Sequence, residues 1–136
     1  LYPNESVKMM NKIIEKVESD PLYLSINEAS HVKADATAED AITESAKYVA
    51  RTMSAKAVVT YTTSGSTALR AARERPDVPI LGISPNLNTA RRLALVWGVH
   101  CIHTKDARNF KDMVLKAGRL AKKEKFVVNT ASPDPI

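Results

Sequence analysis

With 136 residues, 44% of them hydrophobic and 26% charged, the chain suits one globular domain, and no apolar run approaches the roughly 20 residues needed to cross a bilayer, so a membrane span is excluded. No leader-like segment opens the sequence and the lone Cys101 can form no internal disulfide, which together point to the cytoplasm. The net charge of +5 is uneven, with 7 Lys+Arg against 9 Asp+Glu in residues 1–68 and 13 against 6 in residues 69–136; with 5% aromatic residues and no RNP-type, zinc-finger or basic-region pattern, no nucleic-acid partner is expected.

In chain order, the first expected element is a helix from Glu5 to Glu18. Val7, Met10, Ile14 and Val17 recur at three- and four-residue steps, and Ile13 widens the stripe. Tyr2-Pro3-Asn4 places a proline and a capping-type Asn just before it. From Ser19 to Ala36 the period breaks, and the segment reads as a connector. Thr37 followed by Asp40 is a capping-box-like start. It opens a helix to about Ser54, whose stripe of Ile42, Ala46, Val49 and Met53 is expected to lie on a sheet.

Ala57 to Tyr61 reads as a first strand, followed by Thr62-Thr63-Ser64-Gly65-Ser66-Thr67 and a helical run that Pro76 stops. Pro79 to Ser84 is a second strand. A helix from Asn88 to Trp97 is expected to end at Gly98 as its C′ residue. Val99 to His103 is a third strand. Asp106 or Asn109 caps a last helix with Phe110, Val114, Ala117 and Ala121 on its apolar face, and Phe126-Val127-Val128 is a fourth strand. Helices alternating with apolar strands predict an α/β fold: a three-layer, doubly wound, mostly parallel sheet of four to five strands with helices on both faces.

The hydroxyl-rich turn is the feature with chemistry in it. At a helix mouth the first N–H groups lack intrahelical partners and the macrodipole is positive, so an anion such as phosphate is held there. Five hydroxyls around one glycine suit that task, since glycine lets backbone approach a ligand and small hydroxyls donate to phosphate oxygens. An ordinary strand-to-helix turn, capped by one Ser or Thr, would read similarly. Ligands of wound sheets bind beyond the carboxyl ends of the strands, most often where the strand order reverses, and the first strand is expected at that reversal.

Other candidates carry less. His31, His100 and His103 show no spacing with Cys101, Asp or Glu that makes a metal site. Of Arg91 and Arg92 at most one can reach a phosphate, because consecutive helix positions face different ways. Lys122-Lys123-Glu124-Lys125 reads as an exposed helix end. Ser64 has no nearby His or Lys base, so no catalytic residue is assigned.

Four stretches in order resemble the C-terminal, allosteric domain of pyruvate kinase, of the bacterial type. Tyr2-Pro3 with Glu5, Val7 and Met9-Met10 looks like the last helix of that enzyme's (β/α)8 barrel, and Thr37 to Ser54 like the alanine-rich first helix of the allosteric domain. Ala57 to Ala68, continued by Arg73-Glu74-Arg75-Pro76-Asp77-Val78-Pro79-Ile80, looks like the effector loop and its sequel. Thr89-Ala90-Arg91-Arg92-Leu93 with Trp97-Gly98-Val99 looks like the helix and strand that follow.

The resemblance implies residues 1–20 as a remnant of the last barrel helix, 21–36 as a connector and 37–136 as the allosteric domain, in a piece of a longer chain. It implies an effector, a sugar phosphate or AMP and in many members fructose 1,6-bisphosphate, whose phosphate is held by Thr62, Thr63, Ser64, Gly65, Ser66 and Thr67. It further implies a homo-oligomer, tetrameric in the parent enzyme. The Mg²⁺ and K⁺ sites and the catalytic groups belong to the barrel, so this chain alone is expected to hold no cofactor and to transfer no phosphoryl group. Thr130 to Ile136 depart from the family, which there has a glycine-rich lid turn and a final antiparallel strand. Two alternatives remain: a phosphosugar isomerase-type module, which needs a base near the loop, and a pure assembly module.

Overall fold

The computed structural model describes residues 2–30 and 35–126. Contacts divide the chain into two compact units, residues 1–33 and 34–136. In the first, α1 (Pro3–Glu18) begins with its proline in the first turn, where a missing N–H costs nothing, and none of its side chains is buried. The second helix, α2 (Pro21–Ala29), occupies a stretch expected to have no regular structure. Its signal is local: Asp20 accepts from Leu22 N at 2.8 Å as N-cap, and Pro21 takes the first helical position. Leu22, Leu24 and Ile26 behind them recur at two-residue steps, which hides the helical period.

The second unit holds three parallel strands, β1 (Val58–Tyr61), β2 (Ile80–Ser84) and β3 (Val99–His103), in the order β1-β2-β3. All three were legible as apolar runs. Among the described residues the sheet has three strands rather than four or five; Val127 and Val128 of the expected fourth lie outside them, as do His31 and the atypical segment 130–136. Among the described strands the order shows no reversal, and the strand expected to flank β1 on its other side lies outside the described residues.

Alternation along β2 builds the layers. Ile80 faces one side, where it packs with Ala68, Ala71 and Ala72 of α4 (Ser66–Arg73), Leu93 of α5 (Leu87–Leu93) and Val99. Leu81 and Ile83 face the other, against Ala121 of α6 (Phe110–Lys123) with Ala117 and Leu120 beside it. The sheet is therefore covered on both faces, the three-layer α/β arrangement that the alternating elements predict. Gly82 permits the close fit on the α4 side: a Cβ there would stand 3.2 Å from Cys101 Sγ.

Three helices differ in detail from their periodicity. The helix α3 (Ala38–Thr52) is capped as expected, Thr37 Oγ1 accepting from Asp40 N at 3.3 Å, but it turns Asp40, Thr43 and Ala50 inward and leaves Ile42, Val49 and Met53 exposed. Its inner side packs on α4. In α6, Asn109 is the cap, and Ala117, Leu120 and Ala121 form the inner line while Phe110 and Val114 stay exposed. α5 ends at Leu93, four residues short of Trp97, and Gly98 with φ 66 serves the turn into β3.

Asp40 explains how α3 is held. Its carboxylate, 2% exposed, lies 2.9 Å from Arg70 Nε and 3.0 Å from Arg73 Nη2 on α4, and accepts from Asp35 N at 3.1 Å. The Arg73 hydrogen bond is the main influence that holds this carboxyl below the ordinary aspartate range, against the opposing effect of burial. A depressed folded value gives stability that is present above the unfolded value and lost as pH falls through the folded one. Thermal unfolding at pH 7 and pH 3 is expected to show a larger acid-induced drop in Tm for the wild type than for Asp40→Asn. Equal drops would remove Asp40 from the acid response.

Candidate functional site

The turn after β1 is built by its own hydroxyls. Thr62 extends the sheet, its N–H donating to Ile83 O at 3.0 Å, and its Oγ1 accepts from Gly65 N at 2.8 Å to close the turn. Gly65 adopts φ 101, a left-handed conformation that glycine takes without steric cost. From there α4 starts with no side-chain cap, and Leu69 is the first residue whose N–H finds a helical acceptor, Gly65 O at 3.0 Å. The N–H groups of Thr67 and Ala68 thus stand at the helix mouth without intrahelical acceptors. Ser64 Oγ lies 3.1 Å from Ser66 Oγ, so two hydroxyls sit side by side over that mouth.

The opposite wall comes from the carboxyl end of β2 and the start of α5. Here the helix mouth is closed by its own residue: Asn86 Oδ1 accepts from Asn88 N at 2.9 Å and Thr89 N at 3.3 Å. Two α5 side chains then grip the β1 turn, Thr89 Oγ1 donating to Thr63 O at 2.9 Å and Arg92 Nη2 donating to Ser64 O at 2.9 Å. Between the walls lies an open cleft of about 560 Å³, lined on one side by Tyr61, Thr62, Thr63, Ser64, Ser66 and Thr67. Asn86, Asn88, Thr89 and Arg92 line the other. Tyr61 stays a neutral phenol, since burial pushes its pKa up, and its hydroxyl donates to Met113 O at 2.8 Å, tying β1 to α6.

Of the six residues singled out in the sequence, five line the cleft, while Gly65 shapes the turn behind it. Thr62 has a double part, lining the cleft while its hydroxyl oxygen closes the turn. Arg92 faces the cleft and Arg91 does not, as two consecutive helix positions require. Asn86, Asn88 and Thr89 escaped the sequence reading. The rule that sites lie at carboxyl ends of strands, applied to β2 as well as β1, would have found them.

His100 packs its ring 5.5 Å from that of Phe126 and places Nε2 3.0 Å from Glu124 Oε2. Among the described residues no group of three His, Cys, Asp or Glu could hold a metal ion.

A sequence profile of the family described as "Pyruvate kinase, alpha/beta domain" matches residues 40–132. The chain belongs to this family. The pyruvate kinase of Methylorubrum extorquens is 42% identical over 125 residues, a match covering 92% of this chain and 26% of that protein. The pyruvate kinase of Geobacillus stearothermophilus is 38% identical over 106 residues, covering 78% of this chain and 18% of that protein. A crystal structure of a pyruvate kinase from Cryptosporidium parvum superposes with a TM-score of 0.83 at 26% identity, over 93% of this chain and 26% of that one. This pyruvate kinase α/β domain therefore spans about a quarter of the length of relatives such as the Methylorubrum enzyme. No helix among the described residues is long and apolar enough to cross a membrane.

Proposed function

We propose that this chain is the regulatory domain of a cytoplasmic pyruvate kinase, the glycolytic enzyme that converts phosphoenolpyruvate and ADP to pyruvate and ATP, and that its cleft binds a phosphorylated small molecule such as a sugar phosphate or AMP. The observation that carries this reading is the convergence of three kinds of donor on one turn: the open N–H groups of α4, the hydroxyls of Thr63, Ser64, Ser66 and Thr67, and the Arg92 guanidinium. The cleft contains no carboxylate or imidazole among its described lining residues, so it offers no general base, which favours binding over isomerase chemistry. Residues 1–20 are read as the last helix of a catalytic barrel and 37–136 as the effector domain. Mg²⁺, K⁺ and the phosphoryl transfer belong to that barrel.

A ligand held here acts through its different affinities for two arrangements of the whole enzyme. Assembly with further copies of the chain is part of the reading. The outward Ile42 and Val49 of α3 and Met53 just beyond its end supply apolar surface for it, and sedimentation velocity checks it.

Calorimetric titration of the chain with inorganic phosphate, ribose 5-phosphate, AMP and fructose 1,6-bisphosphate tests the binding claim. Saturable heat with at least one organic phosphate, displaced by inorganic phosphate, is expected. Silence with all four would overturn it.

A further inference from the structure

The charges of α6 are sorted by its packing. Residues 110–125 hold six Lys or Arg against two carboxylates, and both carboxylates are engaged away from the outer side. Asp112 accepts from Arg108 N at 3.0 Å and stands 3.8 Å from Lys116 Nζ, while Glu124 Oε2 stands 3.0 Å from His100 Nε2 on β3. Lys116 is taken up by the loop before the helix, donating to Lys105 O and Asp106 O at 2.9 Å each. What is left for the outer side is cationic. Lys111, Leu115, Arg119 and Lys122 follow at steps of four, four and three, so they share the face opposite Ala117, Leu120 and Ala121, and all four are exposed. The stripe runs for about 16 Å. Among the described residues no ion pair joins Lys111, Arg119 or Lys122 to a carboxylate. Leu115 is 53% exposed in the middle of the stripe, and Phe110 and Val114, one turn apart and also exposed, form an apolar edge beside it.

We propose that this face of α6 docks on an anionic lipid surface. Cations clustered around exposed apolar side chains of a helix are the combination such a surface takes up: each Lys or Arg gains from the negative potential of the headgroups, while the apolar side chains enter the boundary of the acyl layer. The stems of Lys111 and Lys122 can lie along Leu115 with their ammonium groups among the lipid phosphates. The composition of the face selects against other occupants. Two copies of the chain meeting through it would bring like charges together. A nucleic-acid backbone would match the cations but leave Leu115 and the Phe110–Val114 edge without an apolar partner. The face lies across the sheet from α4 and α5, whose starts build the cleft, so lipid binding and phosphate binding stand or fall separately.

Co-sedimentation of the full chain with vesicles of phosphatidylcholine, alone or with about one-third phosphatidylglycerol, tests the proposal. Binding is expected to the anionic vesicles only, at about 0.1 M salt, and should weaken by about tenfold or more at about 1 M, where the screening length falls from about 10 Å to about 3 Å. At about fivefold per lost cation, Lys111→Gln/Lys122→Gln should weaken it by about 25-fold, and Lys111→Glu/Lys122→Glu by more. Leu115→Ser keeps every charge and should weaken it by about threefold or more. All four positions are exposed, and circular dichroism with an unchanged Tm shows that each variant is folded. No binding to the anionic vesicles, equal binding to the neutral ones, or wild-type binding in the glutamate variant would overturn the proposal. Wild-type binding in Leu115→Ser would reduce the contact to phosphate charge alone and overturn the bilayer as its partner. Displacement of the chain from the vesicles by a DNA duplex at equal phosphate concentration would do the same and assign the face to nucleic acid.

Discussion

Replacing Gly65 with valine is expected to lower ribose 5-phosphate affinity by at least about 100-fold, beyond what loss of one side-chain contact would do. The residue sits at φ 101, where a β-branched side chain is strained by roughly 1–3 kcal/mol. A Cβ would already stand 3.4 Å from Thr89 Cγ2 and 3.5 Å from Leu93 Cδ2, so the valine methyls must push α5 away or turn the backbone. Either movement spoils the same features. The Gly65 N–H that closes the turn on Thr62 shifts, the mouth of α4 is re-aimed, and the carbonyls of Thr63 and Ser64 leave Thr89 and Arg92. Strain of that size should also lower Tm, by roughly 5–15 °C for a unit of about 100 residues. Binding is therefore compared well below the variant's transition, after far-UV circular dichroism has shown native helix content. Gly65→Ala, whose Cβ meets only ordinary contacts but shares the strained φ, should fall between the two. An affinity in Gly65→Val within about threefold of wild type would remove this turn from the binding site.

Truncation of Leu81 to alanine is expected to cost about 2–5 kcal/mol and to lower Tm by roughly 10 °C or more. Leu81 has no exposed surface, lies at the middle strand, and packs with Ile83 against Ala121, so the sheet on one side and α6 on the other leave little freedom to fill the void. Ile42→Ala makes the informative contrast. In sequence it belongs to the most regular apolar stripe of α3, yet it is 69% exposed, and its truncation should change stability by no more than about 0.5 kcal/mol in the isolated chain. Chemical denaturation with a shared m-value compares the three proteins. Equal losses in both variants would mean that α3 buries its apolar stripe after all.

The two comparisons mark how much of the molecule is readable without coordinates. The hydroxyl turn was legible because its signal is short-range: an apolar run, then small hydroxylated residues with one glycine, then an alanine-rich helix. The cap at Thr37 was legible for the same reason, and Asn109 as one of two candidates with Asp106, each observed cap being a side chain bonded three residues ahead. The inward face of α3 was not. Periodicity reports which stripe is most apolar, whereas α3 is oriented by Asp40 meeting Arg70 and Arg73 and by its contact with α4.

Sequence by itself thus determined the kind of most elements, α2 excepted, and the parallel α/β class, and marked the hydroxyl turn where an anion is proposed to sit, since all of these follow from local periodicity, capping and glycine conformation. Tertiary structure alone decided what faces that turn. Thr89 and Arg92 lie 26 and 28 residues from the carbonyls they hold. They arrive there because β1 and β2 pair in parallel, Tyr61 beside Ile83, which sets the carboxyl ends of both strands at one edge and brings the start of α5 against the start of α4. The cleft exists through that pairing, and its one described cation comes from the helix that no local pattern connects to the loop.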